Sequence, residues 1–289
     1  MIAIIGSGPA GVSTALYLKR ANKDVVVFTN HKSSLIKAKT IENYYGTGSI
    51  SGNDLYKEGL ASLRELNIPI IEEEVFNISL EQNLNLETNK NKYNFDVIVL
   101  ATGTSNNKPK IKDLEKFEGN GVSYCATCDG FFFKNKKIAV LGNSEFAIHE
   151  LNYLKNITND LVLLTNGYDF HSDKFKTYTE KINQLHSFQD EYGITHLDGI
   201  ILGEDNNSYK VDIDALFIAL DSPDSNILAK KCGILTDKTG IIVNEKFETN
   251  VPGIYACGDT VKGQKQIAKA VYEGMLTATN IINYINKNK

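Results

Sequence analysis

At 289 residues the chain is long enough for one large domain or two of ordinary size, and its core needs no disulfide scaffold. Hydrophobic residues make up 42% and charged residues 23%, the balance of a water-soluble globular protein, and a net charge of −4 argues against a protein that neutralises many nucleic-acid phosphates. Met1 runs straight into Ile2-Ala3-Ile4-Ile5, too short for a secretory leader, and no stretch approaches the roughly 20 apolar residues of a membrane span. The expected location is cytoplasmic, where cysteine pairs are catalytic or metal-binding rather than scaffolding.

In chain order, Ile2 to Ile5 predicts a buried strand, and Gly6-Ser7-Gly8-Pro9-Ala10-Gly11 a tight turn. Val12 to Arg20 reads as a helix and Asp24 to Phe28 as a second strand, the first half of a dinucleotide-binding unit. Each glycine has its own task. Gly6 permits the turn, Gly8 lets backbone approach a pyrophosphate, and Gly11 lets helix and strand pack closely. The acid that usually holds a ribose after the second strand is missing, and Thr29-Asn30 stand there. A helix is predicted from Ser51 to about Leu66, capped by Asn53 or Asp54. Strand-like segments run from Ile68 to Leu86, and Asp96 to Leu100 is a buried strand ending in Ala101-Thr102-Gly103.

A second dinucleotide-like unit follows. Lys137 to Leu141 reads as a strand, Gly142 to Ala147 as its turn, and a helix runs to about Leu154. Leu161 to Leu164 and Leu216 to Leu220 are further buried strands. From Gly240 the texture returns to that of the first unit, with Ile241-Ile242-Val243, Val251 to Asp259 and a helix from Gln266 to Ile285. The expected class is α/β, with two Rossmann-like, three-layer dinucleotide-binding domains, the second reduced and inserted in the first: residues 1–111 with 223–289, and 112–222.

Just before the second unit stands Cys125-Ala126-Thr127-Cys128-Asp129-Gly130, followed by Phe131-Phe132-Phe133. Two cysteines at this spacing can close a disulfide ring, and an acid directly after them can move protons during exchange. The same spacing can be half of a zinc site. Cys232 and Cys257 form no second pair, and His31, His149, His171, His186 and His196 form no ligand motif beside them, so no metal is expected. Cys257 reads as a buried apolar residue, and Cys232 has no assigned role.

Taken together, the Gly6–Gly11 turn, Ile41-Glu42-Asn43-Tyr44, Ala101-Thr102-Gly103, Cys125 to Phe132, and Val251 to Asp259 resemble the low-molecular-weight, bacterial-type thioredoxin reductases over nearly the whole chain. The resemblance implies FAD in the first domain. Its partners would be Gly6, Ser7, Gly8, Pro9, Ala10 and Gly11, Asn43 near the flavin, Ala101, Thr102 and Gly103, Gly258, and Asp259 on the ribityl chain. Lys265, Gln266 and Ile267 would sit by the isoalloxazine, with Lys265 where the family usually has arginine. It further implies a homodimer, thioredoxin as partner, and catalysis by Cys125, Cys128 and Asp129. Cys128 would face the flavin, Cys125 would attack thioredoxin, and Asp129 would be the acid–base group.

The inserted domain departs from that pattern. Binding the 2′-phosphate of NADPH calls for donors such as arginine's planar fork. After Leu161–Leu164 the family has a His-Arg-Arg cluster, and this chain has Thr165-Asn166-Gly167-Tyr168. Its only arginines, Arg20 and Arg64, lie in the first unit. Ser144 replaces a glycine of the second turn, and Asp221 stands where a further glycine is expected, an acid that would repel a pyrophosphate. This combination resembles the ferredoxin-dependent flavin thioredoxin reductases, which keep FAD and the cysteine pair without using NADPH. Reduced ferredoxin is the expected donor, and Lys19, Arg20, Lys23, Lys32, Lys37 and Lys39 the basic segment facing it. The competing readings are an NADPH enzyme in which Lys174 or Lys176 replaces arginine, and a non-enzymatic flavin redox sensor.

Overall fold

The computed structural model describes residues 1–80, 83–103, 109–204, 207–220, 225–237 and 239–287. The chain is α/β and divides into two compact units, Met1–Ser105 with Asp224–Lys289, and Asn106–Pro223.

The first unit opens with β1 (Ile2–Ile5), α1 (Pro9–Arg20) and β2 (Val25–Phe28). The helix starts inside the glycine-rich turn because Pro9 has its φ preset for a first helical position and no N–H to leave unpaired there. Then come α2 (Gly52–Glu65), β3 (Ile70–Ile71), the meander β4 (Val75–Leu80), β5 (Leu84–Thr88) and β6 (Lys92–Phe95), and β7 (Val97–Leu100). The cap of α2 is Ser51 rather than Asn53 or Asp54. Its Oγ accepts from Asp54 N at 3.1 Å and donates to the Asp54 carboxylate at 2.7 Å, a reciprocal arrangement that needs the hydroxyl three positions ahead of the acid.

The second unit contains β8 (Val122–Ser123), α3 (Ala126–Asp129), β9 (Ile138–Gly142), α4 (Glu145–Leu154), β10 (Leu161–Leu164) and β11 (Lys176–Tyr178). A meander of β12 (Ile182–Gln189), β13 (Thr195–Leu202) and β14 (Tyr209–Val211) follows, then β15 (Ala215–Ala219). Back in the first unit are α5 (Ser225–Lys231), the hairpin β16 (Thr236–Asp237) and β17 (Gly240–Ile241), β18 (Ile254–Ala256) and α6 (Ile267–Lys287).

In the first unit a parallel sheet of order β18-β7-β1-β2-β3 is sandwiched between layers. Alternate residues of its strands face opposite ways. Ile2, Ile4, Val25, Val27, Val97 and Val99 pack with α1, α2 and α6. Ala3, Ile5, Val26, Phe28, Ile98 and Leu100 pack with the β4–β6 meander and α5. Both faces are covered, which is why these strands read as unbroken apolar runs. The second unit repeats the plan with a parallel sheet of order β11-β10-β9-β15-β8, α4 against one face and the β12–β14 meander against the other. Ile111 is buried with Leu114 and Phe117 in this core, so the segment before residue 112 belongs with the second unit and not, as expected, with the first. The other expected boundary, at residues 222 and 223, lies outside the described residues. No helix among the described residues is long and apolar enough to cross a membrane.

Candidate active site

In the first sheet Ile5, Phe28, Leu100 and Ala256 lie in register, so Gly6, Thr29, Ala101 and Cys257 follow one another along its carboxyl edge, where doubly wound sheets place ligands. Gly6 has φ +111°, and a Cβ there would strike the Ala101 carbonyl. A Cβ on Gly11 would strike the Gly6 carbonyl, so Gly11 is what brings α1 against β1. Gly8 differs: a Cβ would find only Ser33 Oγ at 3.6 Å, leaving this backbone open to a ligand. The first turn of α1 carries no acid, so its positive end is not offset.

Around this cradle the polar groups are tied together. Ser7 Oγ is hydrogen-bonded to Thr29 Oγ1 at 2.6 Å and to Tyr56 OH at 2.7 Å, and Tyr56 to His31 Nδ1 at 3.2 Å. Two acids from the segment between β3 and β4 reach the residues that follow β2. Asn30 donates to Glu74 at 2.9 Å, and His31 Nε2 lies 3.2 Å from Glu72. Sequence spacing could not show this, because residues 72 and 74 are far from residue 30 along the chain.

At the other end of the site Gly258 has φ +81° and abuts Ala10, a Cβ lying 2.7 Å from that of Ala10. Its N–H donates to Glu273 at 2.8 Å and its carbonyl accepts from Lys269 Nζ at 3.0 Å, while Lys269 and Glu273 are themselves ion-paired at 3.0 Å on successive turns of α6. Neither residue was singled out from sequence; the signal is an i,i+4 charge pair on the buried face of an amphipathic helix. Next to this clamp the Asp259 Oδ1 atom is buried with no protein partner, and burial pushes its carboxyl above the usual range against the pull of Lys269 and Lys265. An orphaned buried acceptor calls for a donor from a ligand, such as a sugar-alcohol hydroxyl. Asn43 donates to Gln266 at 3.3 Å, so two residues far apart in sequence meet, beside exposed Lys265 and half-buried Ile267 at the start of α6. The open cradle, the uncompensated helix terminus and the orphan carboxylate oxygen all fit FAD.

In the second unit the cysteines close a disulfide with Cα atoms 5.3 Å apart. Cys125 is 2% exposed, whereas Cys128 is open to solvent. The Cys125 sulfur caps the turn, accepting from Cys128 N at 3.2 Å and Thr127 Oγ1 at 3.2 Å. Ser123, another residue missed from sequence, ties the acid to the cysteine: its Oγ donates to Asp129 Oδ2 at 2.6 Å and accepts from Cys125 N at 3.1 Å. Phe131 and Phe132 follow, 75% and 77% exposed. Among the described residues no group of three or more His, Cys, Asp or Glu could hold a metal ion.

The turn after β10 is closed on its own chain. Thr165 N donates to Tyr178 O at 2.9 Å, Gly167 N to Thr179 O at 2.8 Å, and Asn166 Oδ1 accepts from Ile182 N at 2.7 Å. Thr165 is fully buried. Lys176 Nζ lies 4.8 Å from the centre of the Tyr178 ring. Asp221 lies outside the described residues.

The remaining thiols are inert by environment. Burial pushes the Cys232 thiol up to about 12 and that of Cys257 up to about 11, far from the range in which a thiolate forms at neutral pH. Native oxidised protein alkylated at pH 8 should show no reactive thiol, and prior reduction should expose two, at Cys125 and Cys128. Mass mapping of the labelled peptides checks this, and label on Cys232 in the oxidised protein would contradict it.

A family model described as pyridine nucleotide-disulphide oxidoreductase matches residues 1–274. The thioredoxin reductase of Buchnera aphidicola (subsp. Acyrthosiphon pisum) is 33% identical over 315 aligned residues, covering 99% of this chain and 97% of the relative. That of Ureaplasma parvum is 31% identical over 302 residues with the same coverage. Among solved structures, the atypical thioredoxin reductase TRi of Desulfovibrio vulgaris Hildenborough superposes with a TM-score of 0.89 at 28% identity, covering 99% of this chain and 98% of that one. A ferredoxin-flavin thioredoxin reductase of Clostridium acetobutylicum gives 0.73 at 29% identity with the same coverage. The chain belongs to the pyridine nucleotide-disulphide oxidoreductase family, among its low-molecular-weight thioredoxin reductases.

Proposed function

We propose that this flavin-dependent thioredoxin reductase takes its electrons from a reduced ferredoxin and not from NADPH. The observation that carries the reading is the turn after β10, which offers Thr165-Asn166-Gly167-Tyr168 in place of cationic donors and commits two of its N–H groups to Tyr178 and Thr179 and the Asn166 side chain to Ile182 of β12. A 2′-phosphate needs charge-assisted donors, and the second unit has no arginine. Lysine could act as a point charge, but Lys176 is engaged with an aromatic ring. The likeness to the clostridial ferredoxin-flavin enzyme supports the same donor.

Bound FAD supplies the link between one-electron donors and two-electron disulfide chemistry. In the first unit Gly6, Ser7, Gly8, Pro9, Ala10 and Gly11 would hold its pyrophosphate, with Ala101, Thr102 and Gly103 at the neighbouring strand end. Gly258 and Asp259 would hold its ribityl chain, and Asn43, Lys265, Gln266 and Ile267 would lie at its ring. Two electrons and two protons convert the Cys125–Cys128 disulfide to a dithiol. Cys125 then attacks the disulfide of thioredoxin, Cys128 resolves the mixed disulfide, and Asp129, oriented by Ser123, carries the proton. Phe131 and Phe132 give the partner an apolar foothold beside the sulfurs. Lys19, Arg20, Lys23, Lys32, Lys37 and Lys39 suit an acidic donor, and a homodimer is the assembly we assign.

Mixing the oxidised protein anaerobically with reduced ferredoxin should bleach the flavin absorbance within the dead time of manual mixing. Equimolar NADPH or NADH should bleach it at least about a hundredfold more slowly, the scale set by losing one charged, bidentate phosphate contact. Rapid bleaching by NADPH would overturn the donor assignment and leave the thioredoxin reductase reading intact.

A further inference from the structure

Glu150 is among the most deeply buried charged side chains of the molecule, 2% exposed on α4, and the chemistry above does not use it. It lies under the redox turn. Its Oε2 accepts from the N–H of Ala126, the residue directly after Cys125, at 3.0 Å. Its Oε1 is hydrogen-bonded to His149 Nδ1 at 3.1 Å, and the carboxylate accepts there when the ring carries a proton on Nδ1. The seat is built for this contact. α3 packs on α4, Ala126 is fully buried, and Gly130 sits so close to Leu154 and Ile157 that a Cβ would approach their methyl carbons to 2.9 and 2.8 Å. A carboxylate oxygen that accepts from a backbone amide, with an imidazole nitrogen at the other oxygen, is a seat that suits the ionised form.

A surface charge has little effect on its neighbours, whereas one held in a dry interior acts through a low dielectric. The disulfide is neutral and the form of the reduced pair that attacks another disulfide is a thiolate, so a fixed negative charge beside Cys125 opposes that form and leaves the oxidised one untouched. We infer that Glu150 is a positioning residue that holds the Ala126 amide and, through its charge, keeps the Cys125–Cys128 pair strongly reducing, with His149 moderating it. Among the described residues, the other titratable groups placed beside the pair are His149 on the same helix and Asp129 on the turn itself, which Ser123 ties to the Cys125 amide in wild type and variants alike. This inference rests on the reading of Cys125–Cys128 as the redox pair.

The test is the midpoint potential of that pair in the holoprotein, read by alkylating and weighing the cysteines after equilibration in glutathione buffers. Glu150→Gln keeps an oxygen for the Ala126 amide and removes the charge. It should raise the dithiol's equilibrium stability about tenfold, which is about 30 mV toward positive potential for a two-electron couple. Glu150→Asp should stay closer to wild type, and His149→Leu, which removes the moderating donor from a mostly buried site, should move the potential the other way. If Glu150→Gln does not fold, His149→Leu decides alone. Folded variants whose potential matches wild type would overturn the inference while leaving the redox reading standing. A wild-type pair that does not cycle between disulfide and dithiol would overturn that reading, and this inference with it.

Discussion

Cys128→Ser and Cys125→Ser should each reduce steady-state reduction of thioredoxin by roughly a thousandfold or more, because thiol–disulfide exchange needs both sulfurs and no hydroxyl can replace either. The two variants should differ in what they accumulate. With Cys125 as the attacking sulfur, reduced Cys128→Ser protein forms a mixed disulfide with thioredoxin that nothing resolves, visible as a band of combined mass on a non-reducing gel. Cys125→Ser should form none and should still take electrons onto its flavin. The structure makes this a demanding test. Cys125 is buried while Cys128 is open, so Cys125 must become accessible once the ring opens. The capping bonds that its sulfur accepts from Cys128 N and Thr127 Oγ1 belong to the closed turn, and the turn has only four helical residues to rearrange. A trapped complex with Cys125→Ser and none with Cys128→Ser would exchange the two roles and make the exposed sulfur the attacker.

Much of the fold was legible because apolar runs and glycines report backbone demands directly. Ile2–Ile5, Leu161–Leu164 and the strand before Ala101 are covered on both faces, and unbroken apolar runs say as much. The β12–β14 meander was not legible. Ile182, Leu185, Leu197 and Ile200 are its core contacts, but register shifts between Ile182 and Gln184 and between His186 and Ser187 break the alternation that marks a strand. The same division runs through the site. Residues in motifs could be named from sequence, whereas Glu150, Glu72 and Glu74, and Lys269 and Glu273 at Gly258, act through contacts set by the tertiary fold, and Ser123 acts through a local turn that no motif marks. Glu150 reaches a backbone amide 24 residues earlier in the chain, and no short-range pattern encodes that.

The strongest check on the cofactor cradle contrasts two of its glycines. Gly6→Ala should be severe in two ways. A φ of +111° lies in a region that alanine adopts only under strain, costing about 1 to 3 kcal/mol, and its Cβ would meet the Ala101 carbonyl, which belongs to the sheet edge and cannot turn aside as a side chain could. Moving that carbonyl disturbs the Ala101 N to Ile5 O bond that continues the pairing of β1 with β7. The protein should lose roughly 3 kcal/mol or more of stability, with a lower Tm even when stripped of flavin, and it should purify colourless. Gly8→Ala should behave otherwise. Its φ of −75° suits any residue and its Cβ would touch only Ser33 Oγ at 3.6 Å, so the flavin-free Tm should stay within about 2 °C of wild type. The added methyl would stand where backbone must approach a pyrophosphate, so FAD affinity in a fluorescence titration should fall by at least about tenfold, or 1.4 kcal/mol. Gly8→Ala protein that binds FAD as tightly as wild type would mean that the pyrophosphate does not lie at the N-terminus of α1, and the assignment of Gly6 to Gly11 as its cradle would fail with it.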